Sequence, residues 1–302
     1  MPKRKRTNYP KFPEGLLLES SLPFRIGSKI KIKNYNTFLH NHESSGYKFR
    51  FDLNDDNKTG NVDIIDITSP EHEDIIRLLQ DYFKVPNGGI IIKPPIVVTG
   101  QPFHPEPGGA GVEVGPDVCV RPDIAIVHKP SASNVVPRPP SDMSGNPHAR
   151  IMCEVAVSQS VGILDQKCLT WMQEQYVRAV VSIKILEPRL NVREPVTGYF
   201  FRTMTARLYR QGTALVQEWD FGNAIKNSRD PLADYTNNDP ALCNAPNDPR
   251  FQINIPVSDV FWDPQQFTVL PAYTPQVPAN IIGNVFSIDL YQIQRVALES
   301  RM

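Results

Sequence analysis

Residues 118–127 read VCVRPDIAIV, a run of apolar β-formers broken by Arg121-Pro122-Asp123 and resumed through Ile124, Ala125, Ile126 and Val127. A carboxylate at the mouth of a strand bound for the interior needs a partner, because an isolated buried charge is expensive. Residues 149–158, ARIMCEVAVS, repeat the pattern, with Glu154 as the one acid in a nearly continuous apolar strand. Such runs belong in a sheet covered on both faces.

The covering helices are legible on either side. In SPEHEDIIRLLQDYF, Ser69 is a helix cap, Pro70 takes the first helical position, acids fill the first turn, and Ile75, Ile76, Leu78, Leu79, Tyr82 and Phe83 recur at helical spacing. The segment VGILDQKCLTWMQEQYVR, 161–178, reads as a second helix with Ile163, Leu164, Cys168, Leu169, Trp171, Met172 and Tyr176 as its apolar positions. KFRFDLND and NVDIIDIT alternate on either side of the turn-rich Asn54 to Asn61 and predict a β-hairpin. IIIKPPIVV at 90–98 predicts a strand bent or placed at an edge by Pro94-Pro95, and VVSIKIL predicts one ended by Glu187-Pro188, with Lys184 on the exposed side of an edge. Residues 199–219 form a second hairpin about Gln211-Gly212, FQINIPVSDVFW returns to strand, and the last twenty residues form a short amphipathic helix. This order predicts an α/β (α+β) domain, a mixed central sheet flanked by helices, with long Pro/Gly-rich insertions at 100–117, 129–147 and 222–249.

With 302 residues the chain can bury a full core, and 40 % hydrophobic with 21 % charged residues excludes global disorder. Twenty-nine prolines favour long loops over long helices. Net charge is zero, which argues against bulk electrostatic coating of nucleic acid, but the distribution is uneven. Residues 1–33 hold nine Lys or Arg against Glu14 and Glu19, a local charge of +7. We expect residues 1–44 to be a basic N-terminal arm, 45–265 the folded domain, and 266–302 a C-terminal tail. MPKRKR suits a nuclear-import tag, a phosphate-binding arm or a solvated terminus. Without a signal peptide or a membrane-length apolar run, the expected location is intracellular, nuclear if MPKRKR is a tag and cytoplasmic otherwise. Cys119, Cys153, Cys168 and Cys243 fall at no ligand spacing and read as reduced core residues.

If the two acid-bearing strands are neighbours, Asp123 and Glu154 converge at one end of the sheet, and Lys167 from the following helix approaches the same point. A divalent metal would neutralise two carboxylates at once, and oxygen ligands suit Mg²⁺ or Mn²⁺. Asp123 can instead cap a turn, and Lys167 can instead belong to a solvated helix face.

The chain resembles the Uma-type putative restriction endonucleases of the PD-(D/E)XK nuclease superfamily over roughly residues 45–265. The likeness rests on PDIAIV, on CEVAVSQS about thirty residues later, on a helix with Lys167 and an aromatic four residues on at Trp171, on the acid-Pro ending of SIKILEP, and on Pro70-Glu71-His72 opening the first core helix. It implies a restriction endonuclease-like fold and Mg²⁺-dependent phosphodiester hydrolysis of DNA, with metal on Asp123 and Glu154 and Lys167 stabilising the attacking water. In the superfamily's basic pattern the lysine lies two residues after the acid, where this chain has Ala156, and the Uma-type branch carries it on the next helix. His72 and Gln173 are possible auxiliary residues, and a homodimer is an option because paired nucleases cut both strands. The branch has a Glu in its first hairpin in a Tyr-Glu-Leu context, whereas this chain reads Tyr47-Lys48-Phe49, leaving Glu43 or Asp52 as the displaced acid. That departure keeps open an alternative, a catalytically inactive nuclease-fold protein that binds nucleic acid or a protein partner.

Overall fold

A computed structural model of the chain describes residues 8–15, 17–127, 141–224, 243–264 and 274–300. The MPKRKR segment and most of the expected 129–147 and 222–249 insertions lie outside the described residues. The strands are β1 (Phe24–Lys31), β2 (Tyr47–Leu53), β3 (Thr59–Ile67), β4 (Ile96–Thr99), β5 (His104–Pro105), β6 (Glu113–Val114), β7 (Val118–Pro122), β8 (Ile151–Ala156), β9 (Ala179–Ile185), β10 (Arg189–Arg193), β11 (Phe200–Phe201), β12 (Thr203–Arg210), β13 (Gln217–Gly222), β14 (Gln252–Pro256) and β15 (Val285–Asp289). The helices are α1 (Ile32–Asn41), α2 (Pro70–Lys84), α3 (Val161–Trp171) and α4 (Leu290–Glu299).

The structure is mixed α/β. Its central sheet has the order β13-β12-β9-β8-β7-β4, antiparallel throughout except for the parallel pair β8 and β9, which α3 connects. Strand periodicity divides the side chains between the two faces. Val118, Val120, Ile151, Cys153 and Val155 join the core under α2 and α4, whereas Cys119, Met152 and Ala156 join Leu164, Cys168 and Trp171 of α3 on the opposite face. By the same alternation Asp117 and Glu154 belong to the α3 face. Ser69 accepts from the His72 amide and caps α2, as its sequence signature requires. Among the described residues no helix is long and apolar enough to cross a membrane.

A second, three-stranded sheet, order β1-β3-β2, packs with α1 around its own core of Ile26, Ile30, Tyr35, Phe38, Val62 and Ile64. Residues 24–41, assigned to a basic arm on sequence grounds, are therefore part of the fold. Two register shifts along β1, about Gly27, break its alternation, and exposed Lys29, Lys31 and Lys33 conceal the buried Ile26 and Ile30. The expected tail is corrected likewise: β15 pairs with β14, and α4 contributes Leu290, Ile293 and Ala297 to the main core. Lys184 is not on an edge, because β9 lies between β8 and β12, and its ammonium donates to the Val157 carbonyl. The strand expected over 90–98 begins only at Ile96 and runs to Thr99, and Ile91 and Ile92 are exposed.

The two sheets are joined by a buried carboxylate. Asp66, at the end of β3, accepts from the Val157 amide at 3.1 Å and the Ser158 amide at 2.9 Å, the first residues beyond β8. Asp66→Ala would orphan both amides, and should lower unfolding free energy by about 2–4 kcal/mol in urea denaturation; a loss under about 0.5 kcal/mol, the range of ordinary surface changes, would contradict this joint role.

Candidate functional site

Register decides which acids meet. Val118 pairs with Cys153 across β7 and β8, so Asp117, just before β7, stands beside Glu154. The Asp117 amide donates to the Cys153 carbonyl at 3.0 Å, extending the ladder by one residue. Asp123 lies six residues further along, roughly 20 Å at strand rise, at the opposite end of β7. There its amide donates to the Pro95 carbonyl, its Oδ1 accepts from the Ala125 amide at 2.8 Å, and its own carbonyl accepts from Ile126 and Val127. It caps a turn. The expected convergence of Asp123 with Glu154 and Lys167 is corrected: the structure brings Glu154 and Lys167 together, and the acid beside them is Asp117.

Glu154 is fully enclosed. Its Oε2 accepts from Lys167 Nζ at 2.8 Å and its Oε1 from Trp171 Nε1 at 2.7 Å, two side chains one helical turn apart on α3. Lys167 also donates to the Gly115 carbonyl at 3.1 Å, using two of its three donors. Burial pushes the Glu154 carboxyl up, against the pull of Lys167. For Lys167 burial opposes the charge, but Glu154 and Asp117 outweigh it and the pKa is raised.

Asp117 has a different set of partners. Its Oδ2 accepts from Lys48 Nζ at 2.5 Å and from the Val155 amide at 2.7 Å, and His72 Nε2 lies 3.6 Å away. Lys48 reaches over from β2 and also donates to the Val155 carbonyl. Burial works against the Asp117 carboxylate, but Lys48 and His72 outweigh it and hold the group well below its ordinary range. Burial and Lys48 oppose a proton on His72, while Asp117 and Glu73 favour one, and the net pKa is raised. His72 thus sits at the site, its Nδ1 against Glu73 at 2.9 Å and its buried Nε2 without a hydrogen-bond partner. Gln173 is exposed beyond the end of α3 and away from the cluster.

A cavity of about 300 Å³ opens where the N-terminal sheet meets α3. Lys48, Asp117 and Lys167 face it, and Tyr47, Phe49, Phe51, Phe103 and Trp171 supply aromatic walls. Glu43 and Asp52, considered as displaced hairpin acids, are also on its lining, but neither is in the buried cluster, and Asp52 pairs with Arg50 at 2.9 Å.

As arranged here, Asp117 and Glu154 are engaged by lysines rather than open to the expected Mg²⁺ or Mn²⁺. Among the described residues no three His, Cys, Asp or Glu are arranged to hold a metal ion. Asp117 and Glu154 are each in contact with a lysine ammonium, so two negative charges meet two positive ones and leave no net charge to draw in a dication.

Sequence reasoning missed Asp117 and read Lys48 only as a departure from the hairpin acid. Pro116-Asp117 was a usable signal, a Pro-Asp pair at the entrance of the apolar run where Pro122-Asp123 stands at its exit. Lys48→Met would leave Asp117 buried and uncompensated, and should cost about 3–5 kcal/mol at neutral pH, against about 1 kcal/mol for Asp123→Asn. Because the Asp117 pKa is depressed in the wild type, its ionic contribution is present above about pH 4 and is lost as pH falls through the folded value. Without Lys48, burial pushes that carboxyl up instead, so Lys48→Met should recover stability on protonation and the wild-type advantage should already shrink as pH falls from neutral toward about 4. Urea unfolding across pH measures this, and equal costs for the two variants would contradict the assignment. Compared with known proteins, the chain matches no family model, no curated protein and no solved structure.

Proposed function

We propose that the chain is a nucleic-acid-binding protein on a restriction endonuclease-like core, in which the acid pair of a nuclease is retained but neutralised from within. The core supports this through the order α2-β4-β7-β8-α3-β9, with Asp117 entering the second of these strands, Glu154 on the third, and Lys167 on the helix that follows. On this reading Asp117 takes the place expected of Asp123.

The observation that carries the binding reading is a row of exposed lysines along the edge strand β1 and the start of α1. Lys29, Lys31 and Lys33 are exposed and form no ion pair among the described residues. They run from β1 into α1, the helix that sends Tyr35 and Leu39 to the cavity wall. Cations that track a phosphate backbone beside aromatic faces that stack on bases are the usual means of holding single strands. Lysines also guard sheet edges against unwanted pairing, so their part in binding has to be measured. The remaining donor of Lys167, at the base of the cavity, suits a phosphate oxygen.

A Mg²⁺-dependent endonuclease is the competing reading, favoured by the adjacency of Asp117 and Glu154. Two assays separate them. Fluorescence anisotropy with a labelled single-stranded oligonucleotide should show salt-dependent binding, and Lys29→Gln/Lys31→Gln/Lys33→Gln should lower the log–log salt slope by about 2, near 0.7 per lost single-strand phosphate contact. Binding that is absent, or a slope unchanged in the triple variant, would sink the binding reading. Plasmid incubated with Mg²⁺ or Mn²⁺ should stay intact, whereas nicking abolished by Asp117→Asn and Glu154→Ala would establish the endonuclease instead.

A further inference from the structure

The ammonium of Lys48 occupies an unusual place. It leaves β2 of one sheet, crosses to the end of the other, and is held between the Asp117 carboxylate and the Val155 carbonyl with the side chain only 8 % exposed. Glu154 follows on the adjoining strand and adds its own field, since its carboxyl feels both Asp117 and Lys48. His72 turns a fully buried Nε2 with no hydrogen-bond partner toward the same Asp117 oxygen. A carboxylate oxygen and a main-chain carbonyl, with a second carboxylate on the adjoining strand, are oxygen donors of the kind that Mg²⁺ and Mn²⁺ take. Here the first two hold a lysine.

We infer that Lys48 is a resident cation at a divalent-ion position, held between Asp117 and the Val155 carbonyl, and that this one side chain is what denies the site a dication. A buried lysine needs compensation, and Asp117 gives it. A dication entering beside it would meet like charge in a poorly screened interior. Removing the ammonium leaves the cluster with one excess negative charge, and placing a carboxylate at residue 48 leaves it with three carboxylates against Lys167 alone. The inference does not rest on nucleic-acid binding, and its test contains no nucleic acid.

The test uses the full chain and Mn²⁺ alone. Free Mn²⁺ is followed by its paramagnetic resonance during titration, and thermal unfolding is measured at rising Mn²⁺, because an ion that binds only the folded state raises Tm with its concentration. Wild type should leave Mn²⁺ free and show an unmoved Tm. Lys48→Glu should bind one Mn²⁺ per chain and gain Tm with added Mn²⁺, and Asp117→Asn placed on that background should remove both effects. A Lys48→Glu chain that folds only when Mn²⁺ is present supports the inference equally. If Lys48→Glu folds under no condition, the neutral Lys48→Gln decides: Mn²⁺ binding above wild type supports the inference, and none overturns it. Mn²⁺ binding by wild type that Asp117→Asn abolishes, or a folded Lys48→Glu that ignores Mn²⁺, also overturns it.

Discussion

The ion pair between Lys48 and Asp117 is the contact on which the arrangement of the molecule depends. Asp117 lies at the entrance to β7, is 2 % exposed, and holds together three separate elements through one oxygen: Lys48 of β2, the Val155 amide of β8 and, at longer range, His72 of α2. A lone carboxylate could not be tolerated there, and a lone lysine could not be tolerated opposite it. Each makes the burial of the other admissible. With Asp66, which caps the amides just past β8, the pair fixes the N-terminal sheet against the central one and so gives the cavity between them its walls.

The rest of the site follows from strand parity and helical spacing. Asp117 and Glu154 meet because adjoining antiparallel strands set them opposite one another on the face that α3 covers. Lys167 and Trp171 both reach Glu154 because four residues bring side chains to the same side of a helix. The parallel pairing of β8 with β9 requires a crossover, and α3 is that crossover, so the helix that closes the sheet also delivers the base of the cavity.

Much of this was legible in the chain, and what was not has physical causes. α2 declared itself through Ser69, Pro70 and its apolar stripe, and Glu154 stood out because an acid in a run such as IMCEVAV has no local means of neutralisation. β1 was hidden because Gly27 and Lys29 interrupt the alternation of a strand whose buried residues are few. Asp123 stands out over Asp117 in the sequence because the apolar pattern continues through Ile124, Ala125, Ile126 and Val127, whereas in the fold the strand ends at Pro122 and those residues turn away. Nothing in local pattern distinguishes the two Pro-Asp pairs. Their difference is one of register with β8, which only long-range pairing sets. Lys48 stands where a hairpin acid is expected, but its direction across the sheet junction cannot be read from its neighbours.

The consequence for function lies in charge. Two carboxylates and two ammonium groups balance one another in the buried cluster, which on the proposed reading leaves little to recruit a dication. The most direct measurement of this account is a double-mutant cycle on Lys48→Met and Asp117→Asn by urea denaturation, which isolates the pairwise coupling. The account predicts that the two losses are strongly non-additive, with the double variant more stable than the sum of the single changes by about 2 kcal/mol or more. Additive losses, within about 0.5 kcal/mol, would mean that Lys48 and Asp117 do not sustain one another, and the account would fail.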